Sequence, residues 1–409
     1  MKVLVSAYSC EPHKGSEPGL GWNWVRQIAH FHEIWVITRS NNRKSIEAAN
    51  VKEPLPGIHF VYVDLPRWAR FWKKGQRGVH AYYYLWQVCA YFVARRLQRQ
   101  IGFDLVHHVT IGIYWMPSLL ALLPMPFVWG PVGGGESAPP AFKRAHGLRG
   151  RAYEALRDLA RAMGHLDPFV RLTAERTAMA LSKTVATQSR LHSLGCRKVR
   201  VCPDSGLSSD EIRQLRALPQ NDSNTFRIVS IGNLLHLKGF DLGLKAFQGF
   251  LQQFPGAEYW LIGEGPERKR LEHLTRELGV ADQVTFWGHM PRSAALEKLA
   301  DCDVLLHPSL HDSAGWACLE AMAARRPVIC LDLHGSALRV TKETGIRVPA
   351  ISPEQVVRDL ETAMSQLASN HILRVQLGQA AAERVEQYFN CDKRGDLLAD
   401  IYGQIAPVV

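Results

Sequence analysis

The sequence lacks the features by which several classes of protein are recognised. Its eight cysteines include no Cys-x-x-Cys pair and no Cys/His cluster with zinc spacing. No segment recurs with a period of about 20–50 residues, which excludes solenoids and propellers. The composition, 46% hydrophobic and 21% charged, is that of an ordinary folded protein. A chain of 409 residues predicts two domains, and the absence of paired cysteine motifs predicts a reducing, cytoplasmic setting.

Charged residues are absent from residues 105–135, so this run is long enough to resemble a membrane span. Four prolines interrupt it and three consecutive glycines end it. Backbone groups interrupted so often would lack hydrogen-bond partners in lipid. We therefore expect a buried strand–helix–strand segment. The apolar stretch after Met1 is too short for a secretory signal.

Positive charge is concentrated in the first half of the chain. The formal net charge is +11; residues 1–220 carry +15 and the remainder carries −4. Such asymmetry indicates an anionic partner, which is a nucleic acid, a membrane surface or a phosphorylated substrate. No nucleic-acid recognition motif is present, so we expect no nucleic acid. The alternative is a well-solvated basic surface.

Strand-like apolar runs alternate with helical periodicity, which predicts an α/β fold of two Rossmann-like, doubly wound domains. The first domain is predicted over residues 1–221 and the second over 222–386, with a polar linker at 221–224. Strands are predicted at 2–7, 33–38, 58–63, 104–109, 126–130, 184–188, 199–203, 226–232, 257–263, 283–288, 304–309, 327–332 and 345–349. Helices are predicted at 79–100, 240–254, 266–279 and 315–325, among others.

Glycine-containing turns follow three predicted strands of the second domain, at 232–239, 263–266 and 286–289. Glycine lets the backbone approach a ligand, and a helix start offers N–H groups to phosphate. Lys238 adds a positive charge to the first of these turns. Each turn alone is equally explained as a tight connection between a strand and a helix.

A fourth loop of the second domain carries two acids. Asp312 lies at the tip of a predicted strand-to-helix loop, Gly315 opens the helix, and Glu320 lies inside it. The helix is otherwise apolar, so burying Glu320 is costly without a partner. Two adjacent hydroxyls of a ribose would be such partners, while the helix N-terminus favours a diphosphate.

These loops resemble the donor-binding half of the retaining glycosyltransferases of family 4, within the group 1 glycosyltransferases, whose fold is GT-B. The family signature is an acid, seven residues and Glu-Ala-Met-Ala after a strand ending in Pro-Ser. Here these are Asp312, Glu320–Ala323 and Pro308-Ser309, and the three glycine turns match in family order. The resemblance implies two domains facing each other across a cleft, with residues 387–409 as a helix crossing back to the first domain.

The resemblance also implies roles for individual residues. Lys238 would stabilise the leaving diphosphate, Glu320 would bind the ribose, and Asp312 would bind sugar hydroxyls and steady a cationic transition state. No metal or other cofactor is expected, and Asp301-Cys302-Asp303 is interpreted as structural. The remaining predicted donor-binding residues of this domain are Gly232, Asn233, His236, Gly263, Gly265, His289, Met290, Ser313, Ala314, Gly315, Trp316 and Ala317.

Two positions depart from the common family pattern. Asp312 stands where the first acid is usually Glu, and Asn233 stands where the phosphate loop usually has Arg. Losing a bidentate cation weakens one clamp on the diphosphate. We expect His236, or a basic residue of the first domain, to replace that arginine in part.

In the first domain the resemblance points to a glycine-rich loop and a histidine. Gly19 and Gly21 lie in the predicted loop after the first strand and are expected to contact the donor. One of His107 and His108, in the fourth strand, is expected to orient the donor sugar. Successive strand residues point to opposite sides, so both remain open, with His108 preferred. The alternative for either is a hydrogen-bonded structural histidine.

The sequence therefore predicts a retaining glycosyltransferase. The donor would be a nucleotide-diphosphate sugar, with UDP the family's commonest carrier, and the acceptor a glycan or lipid-linked glycan of polysaccharide or cell-envelope biosynthesis. The alternatives are a sugar-nucleotide epimerase or glycan phosphorylase of the same fold, a nucleic-acid-binding protein, and a nucleotide-sugar-binding protein without turnover.

Two basic segments suggest where the protein works. Cations alternate with aromatic residues at 67–77, and the segment 143–161 combines arginines with helical character. Anionic lipid attracts such cations, and Trp buries its ring at the bilayer interface. We predict peripheral attachment to the inner face of the plasma membrane. The alternative is a solvated basic face.

Overall fold

The computed structural model describes residues 1–12, 14, 16–70, 72, 78–145, 148–221 and 223–406. The chain divides into two compact units. The first comprises Met1–Gly135, Arg157–Asp204 and Asp392–Val409, and the second comprises Glu136–Leu156 and Ser205–Cys391. The prediction placed the boundary at residue 221, whereas the structure assigns residues 136–156 and 205–221 to the second unit. Asp222, in the predicted linker, lies outside the described residues.

Each unit is built on one parallel sheet. The strands are β1 Lys2–Ala7, β2 Glu33–Arg39, β3 Ile58–Val63, β4 Leu105–Thr110, β5 Phe127–Val132, β6 Thr177–Ser182, β7 Val199–Val201, β8 Arg227–Ile231, β9 Glu258–Ile262, β10 Val284–Gly288, β11 Val304–His307, β12 Val328–Leu331 and β13 Gly345–Val348. The first sheet has the order β3-β2-β1-β4-β5-β6-β7, and the second has the order β10-β9-β8-β11-β12-β13. The predicted pair of doubly wound sheets is confirmed.

Helices connect the strands, as parallel pairing requires. They are α1 Ser16–Ala29, α2 Arg43–Lys52, α3 Val79–Ile101, α4 Pro140–Ala145, α5 Leu148–Leu166, α6 Pro168–Arg176, α7 Val185–Ser193, α8 Ser209–Arg216, α9 Phe240–Leu251, α10 Arg268–Glu277, α11 Arg292–Ala300, α12 Trp316–Ala323, α13 His334–Arg339, α14 Pro353–Ser369, α15 His371–Tyr388 and α16 Arg394–Ile405. Short 3-10 turns occupy Ser40–Asn42, Arg67–Ala69, Leu119–Leu122, His236–Lys238, Ala281–Gln283 and Cys391–Lys393.

The strand predicted at 184–188 is wrong, because this segment begins helix α7. Thr184 is its N-cap, and its side chain accepts a hydrogen bond from Thr187 N at 3.2 Å. The strand of this region is β6, which ends two residues before Thr184. Threonine has a high strand propensity, and here its hydroxyl serves the helix start instead.

The uncharged run at 105–135 is interior structure, as predicted. It consists of β4 and β5, which are buried along their whole length, joined through the turn Leu119–Leu122. The helix expected between these strands is only that short 3-10 turn, since prolines restrict the chain on both sides. Among the described residues, no helix is long and apolar enough to cross a membrane.

Helix α16 belongs to the first unit. Its residues Leu398, Ile401 and Tyr402 are buried in the core that includes β1, β2 and α1. Arg394 at its start donates from Nη1 to Asp204 O at 3.0 Å, and its guanidinium lies 5.3 Å from the Trp24 ring centroid. The C-terminal segment is thus fixed to the first unit by an apolar face and one arginine.

Gly19 and Gly21 lie inside α1, not in a loop as predicted. A Cβ at Gly19 would lie 1.9 Å from Lys14 O, and one at Gly21 would lie 2.1 Å from Ser9 O. The two glycines therefore allow the segment after β1 to lie directly against the first turns of the helix. Their expected contact with a donor stays a prediction.

Substituting Gly21 by Ala should cost about 1–3 kcal/mol of the free energy of unfolding, because the added methyl group would meet backbone. Gly403 is the matched control, since it is also helical and a Cβ there meets nothing within 4 Å. Gly403→Ala should be neutral or stabilise by up to about 1 kcal/mol. Urea denaturation followed by circular dichroism measures both, and equal effects would contradict the packing explanation.

Candidate functional site

The second unit presents its loops at the carboxyl edge of its sheet. Strand β8 lies between β9 and β11, so the loops after β8 and β11 begin side by side where the strand order reverses. Sheets of this kind bind ligands at that place. The turn His236–Lys238 follows β8, and residues 308–315 lead from β11 into α12.

Close backbone packing joins the loops after β8 and β9. Gly232 N donates a hydrogen bond to Ile262 O at 2.9 Å. A Cβ at Gly263 would lie 2.0 Å from Gly232 O, and one at Gly265 would lie 2.4 Å from Leu234 O. Both glycines are therefore explained by the close contact between the two loops. This agrees with the alternative in which these turns are only tight connections between a strand and a helix.

Lys238 is paired with Asp312 across two loops. Lys238 Nζ lies 2.5 Å from Asp312 Oδ2, and His307 Nε2 lies 3.1 Å from the same oxygen. Gly239 has a φ of 64°, and a Cβ there would lie 2.1 Å from Pro308 O. This glycine lets the turn carrying Lys238 approach the loop carrying Asp312.

The other oxygen of Asp312 caps the approach to α12. Oδ1 accepts hydrogen bonds from Ala314 N at 3.0 Å and Gly315 N at 2.9 Å. Burial would raise the pKa of Asp312, but His307, Lys238 and the Gly315 N–H together hold it well below its usual range. The carboxylate is therefore charged at neutral pH.

A buried arginine fixes the same loop from its other side. Arg339 is fully buried; its Nη1 donates to Gly335 O at 2.5 Å, and its Nη2 donates to Ser205 Oγ. Ser205 Oγ donates in turn to Ala314 O at 2.7 Å. Gly315 has a φ of 50°, and a Cβ there would lie 3.2 Å from Arg339 Cδ. The loop geometry thus depends on a side chain that is distant in sequence.

Glu320 has an ionic partner within the chain. Arg292 Nε lies 2.6 Å from Glu320 Oε1, and Arg292 Nη1 lies 2.9 Å from Glu211 Oε1. The side chain of Glu320 is 11% exposed. Burial raises its pKa, and Arg292 opposes that shift. The sequence analysis expected ribose hydroxyls to be the partners of the buried Glu320. In the structure, Arg292 is the partner of one of its two oxygens.

Residues 211–384 match the family model described as glycosyl transferases, group 1. This region is therefore similar to the group 1 glycosyltransferases. A lipopolysaccharide core biosynthesis glycosyltransferase of Rhizobium meliloti, LpsD, is 27% identical over 187 residues, which are 46% of this chain and 52% of that protein. The chain thus spans about half the length of the curated relatives it matches. The predicted resemblance is confirmed at the level of group 1, and family 4 stays a prediction.

Two solved structures are similar over nearly the whole chain. Sucrose-phosphate synthase from Thermosynechococcus elongatus has a TM-score of 0.66 at 18% identity, with 98% of each chain covered. HepE of Anabaena, in complex with UDP-glucose, has a TM-score of 0.60 at 15% identity, with 99% of this chain and 100% of HepE covered. This likeness shows the fold, and the predicted GT-B class is confirmed.

The other predicted donor-binding residues of the second unit differ in exposure and in contacts. Asn233 and His289 are exposed, and the His236 ring meets the Tyr153 ring edge-on at 5.7 Å. Met290 packs against the buried cluster that includes Leu319 of α12. Around the helix start, Trp316 is 37% exposed, and the half-buried residues are Ser313, Ala314 and Ala317. Their contact with a donor stays a prediction.

His107 and His108 are both fully buried in the first unit. His107 Nδ1 lies 2.5 Å from Tyr402 Oη and its Nε2 lies 2.7 Å from Gly130 O, so both ring nitrogens are bonded. His108 Nε2 lies 3.3 Å from Tyr83 Oη. Burial lowers the pKa to about 3 for His107 and about 4 for His108, so both rings are neutral. His107, bonded at both ring nitrogens, has the geometry of a structural histidine. A role of either histidine toward the donor stays a prediction.

The second acid of the Asp-Cys-Asp sequence is bonded to neighbouring segments of the second unit. Asp303 Oδ2 accepts hydrogen bonds from Arg227 N at 2.9 Å and Asn221 Nδ2 at 2.8 Å, at the amino end of β11. Within the described ranges, no group of three His, Cys, Asp or Glu side chains is placed to hold a metal ion.

Three residues of the site were missed by the sequence analysis: His307, Arg292 and Arg339. A signal existed for His307, because it ends β11 immediately before Pro308, at the ligand-binding edge of the sheet. Arg292 and Arg339 carry no such signal, since their partners lie 28 and 134 positions away.

Substituting Asp312 by Asn should lower the free energy of unfolding by about 3 kcal/mol at pH 7, because Lys238 then lacks its carboxylate. The pKa of Asp312 is lower in the folded protein than its ordinary value of 3.8, so its charged form stabilises the fold at any pH above 3.8. This contribution is lost as the pH falls from 3.8 through the pKa of the folded state. The difference between wild type and variant should therefore shrink in strong acid.

The matched control is Asp210→Asn, which breaks the exposed pair with Arg213. It should cost less than about 1 kcal/mol. Urea titrations at pH 7 and pH 3 measure both variants. An equal, small cost for the two at pH 7 would refute the stabilising role of the Lys238–Asp312 pair.

Proposed function

We propose that the protein is a retaining glycosyltransferase that moves a sugar from a UDP-sugar to a glycan or lipid-linked glycan in cell-envelope polysaccharide biosynthesis. The observation that carries this proposal is the Lys238–Asp312 pair at the start of α12, inside the range that matches group 1. The HepE complex with UDP-glucose supports the choice of donor, and LpsD supports the cell-envelope setting.

Departure of UDP leaves negative charge on its diphosphate, which is stabilised best by groups already in position. Lys238 supplies a full positive charge, and the first N–H groups of α12 lack acceptors within the helix. Because Asp312 already holds Lys238 in place, no reorganisation is needed when the donor binds. Lys238 thus supplies the charge that a metal ion supplies elsewhere, and we propose transfer without a metal.

Asp312 acts through its neighbours in this proposal. A carboxylate offers about four lone-pair sites. Those of Asp312 face Lys238, His307 and the N–H groups of Ala314 and Gly315. We therefore assign Asp312 to positioning Lys238 and the helix start, in place of the contact with sugar hydroxyls first expected.

Glu320 keeps an oxygen for the ribose. Its Oε1 is bonded to Arg292, while within the described part of the chain Oε2 makes no hydrogen bond. A charged carboxylate is the stronger acceptor for two adjacent hydroxyls. Burial raises the pKa of Glu320, and the adjacent Arg292 opposes that rise and so favours the charged form.

Lys238→Ala should lower kcat/KM for transfer from a UDP-sugar by at least about 100-fold, since a preorganised charge is lost from the transition state. Glu320→Ala should weaken UDP binding by at least about tenfold, because a charge-assisted hydrogen bond is lost. A thermal-shift screen of nucleotide diphosphates measures binding, and proton NMR of the product measures anomeric retention.

Lys269→Ala and Glu297→Ala are the matched controls, because both residues are exposed on helices of the same unit. Both should leave transfer and UDP binding unchanged. Near-normal transfer by Lys238→Ala and Glu320→Ala together, or an inverted product, would overturn the proposed function.

We further propose peripheral attachment of the protein to an anionic membrane. The first unit exposes apolar side chains on α3 and on the adjoining end of α5 and α6, and Tyr84 joins α3 to α6 through a hydrogen bond to Asp167 at 3.1 Å. These exposed side chains are Leu85, Val88, Phe92, Leu159, Met163, Leu166 and Phe169. Exposed arginines on the same helices, Arg95, Arg96, Arg99 and Arg171, match anionic lipid in charge.

The segments that first suggested this attachment are only partly described. Phe71, Lys73, Lys74 and Arg77 lie outside the described residues, as do the side chains of Arg67, Arg144 and Arg149.

The double variant Phe92→Ser, Met163→Ser should bind at least about tenfold more weakly to vesicles that contain anionic lipid. The reason is that it loses two apolar side chains that the membrane would bury. Ile372→Ser, at a 69% exposed apolar side chain of the second unit, is the control. Vesicle sedimentation at low salt measures binding. Failure of the wild type to sediment, or equal losses in the two variants, would count against attachment by this face.

A further inference from the structure

A cavity of about 310 Å³ lies in the first unit, away from the groups used above. It is lined by Arg39, Ser40, Asn41, Asp64, Arg70 and Tyr82, and we call it the Arg39 cavity. Arg39 ends β2 and Asp64 follows β3, so the cavity lies at the carboxyl edge of the first sheet. That edge is where sheets of this class bind ligands.

Both carboxylate oxygens of Asp64 are bonded within the first unit. Its Oδ1 accepts hydrogen bonds from Leu65 N at 3.1 Å and from Tyr82 Oη, and its Oδ2 lies 3.3 Å from Arg70 Nη1. The Asp64 side chain is 10% exposed. Burial and the hydrogen bond to Asp64 raise the pKa of Tyr82 to about 12, so the phenol stays neutral. Asp64 thus balances Arg70, and one positive charge of the cavity remains.

That remaining charge is Arg39. Its guanidinium lies 5.2 Å from the Tyr8 ring centroid and 4.9 Å from the Tyr82 ring centroid. Its Nε is buried and, within the part of the chain that the structure describes, has no hydrogen-bond partner. Among the same residues no carboxylate lies within ion-pair distance of Arg39. A buried guanidinium donor without an acceptor is costly, and an oxyanion removes that cost.

We propose that the Arg39 cavity binds an oxyanion, a phosphate or carboxylate group carried by the acceptor of the proposed transfer. The guanidinium fork of Arg39 matches either group in a bidentate arrangement. Ser40 and Asn41, which open the 3-10 turn after β2, add polar side chains to the same wall. The identity of the ligand as an acceptor rests on the proposed function; the anion site itself does not.

Isothermal titration with inorganic phosphate, in the presence of saturating UDP, tests the site while the diphosphate position near Lys238 is filled. Arg39→Gln should weaken phosphate binding at least about tenfold, and Arg39→Lys should weaken it less because charge is kept and the fork is lost. Arg190→Gln is the control, since it removes the same charge from an exposed position of the same unit. It should leave phosphate binding unchanged.

Arg70→Gln is a second variant, because Arg39 also packs on two aromatic rings and its loss can unfold the protein. It should weaken phosphate binding several-fold while leaving Asp64 bonded to Tyr82. Acetate should compete with phosphate, and glucose should not. Phosphate binding that is absent in the wild type, or unaffected by Arg39→Lys and Arg70→Gln, would overturn the proposal.

A separate readout distinguishes this proposal from the proposed function. If UDP produces no thermal shift but Arg39-dependent phosphate binding persists, the UDP donor is wrong and the anion site stands. If UDP binds and phosphate binding does not depend on Arg39, the anion site is wrong and the donor assignment stands.

Discussion

One buried carboxylate organises the candidate site. Asp312 faces Lys238 of the turn after β8, His307 at the end of β11, and the backbone N–H groups of the two residues before α12. Removing a charged pair from water is expensive unless every acceptor position is used. Because both oxygens of Asp312 are bonded, Lys238 is held in place beside the start of α12. The proposed chemistry depends on that preorganisation.

The same principle explains Glu320 and Arg339. Glu320 lies in an apolar helix and is tolerated because Arg292 bonds to one of its oxygens. Arg339 is fully buried, and its Nη1 and Nη2 donate to Gly335 O and Ser205 Oγ. Glu320 and Arg339 thus each tie two segments of the chain together. These bonds fix the geometry of the loops around α12, which hydrophobic packing alone would not determine.

The Arg39 cavity differs from that site in the balance of its charges. In the second unit, Lys238 and Arg292 are both paired with carboxylates. In the cavity, Asp64 balances only Arg70, while Arg39 is held by two aromatic rings. These cation–π contacts orient the guanidinium, and within the described part of the chain they leave Arg39 Nε without an acceptor. This difference is the physical reason to assign an anionic ligand to the cavity.

The sequence by itself determined the two parallel sheets, because buried parallel strands are continuous apolar runs that need no knowledge of partners. Through the resemblance of its loops to group 1 glycosyltransferases, the sequence also pointed to Lys238, Asp312 and Glu320. It failed at 184–188, where a side-chain cap outweighed strand propensity, and at Gly19 and Gly21, whose close neighbours are backbone atoms of another segment. Only the tertiary structure decided which charges pair. Three arginines contact residues that are far away in the chain: Arg292, Arg339 and Arg39. Local sequence patterns do not predict such long-range contacts.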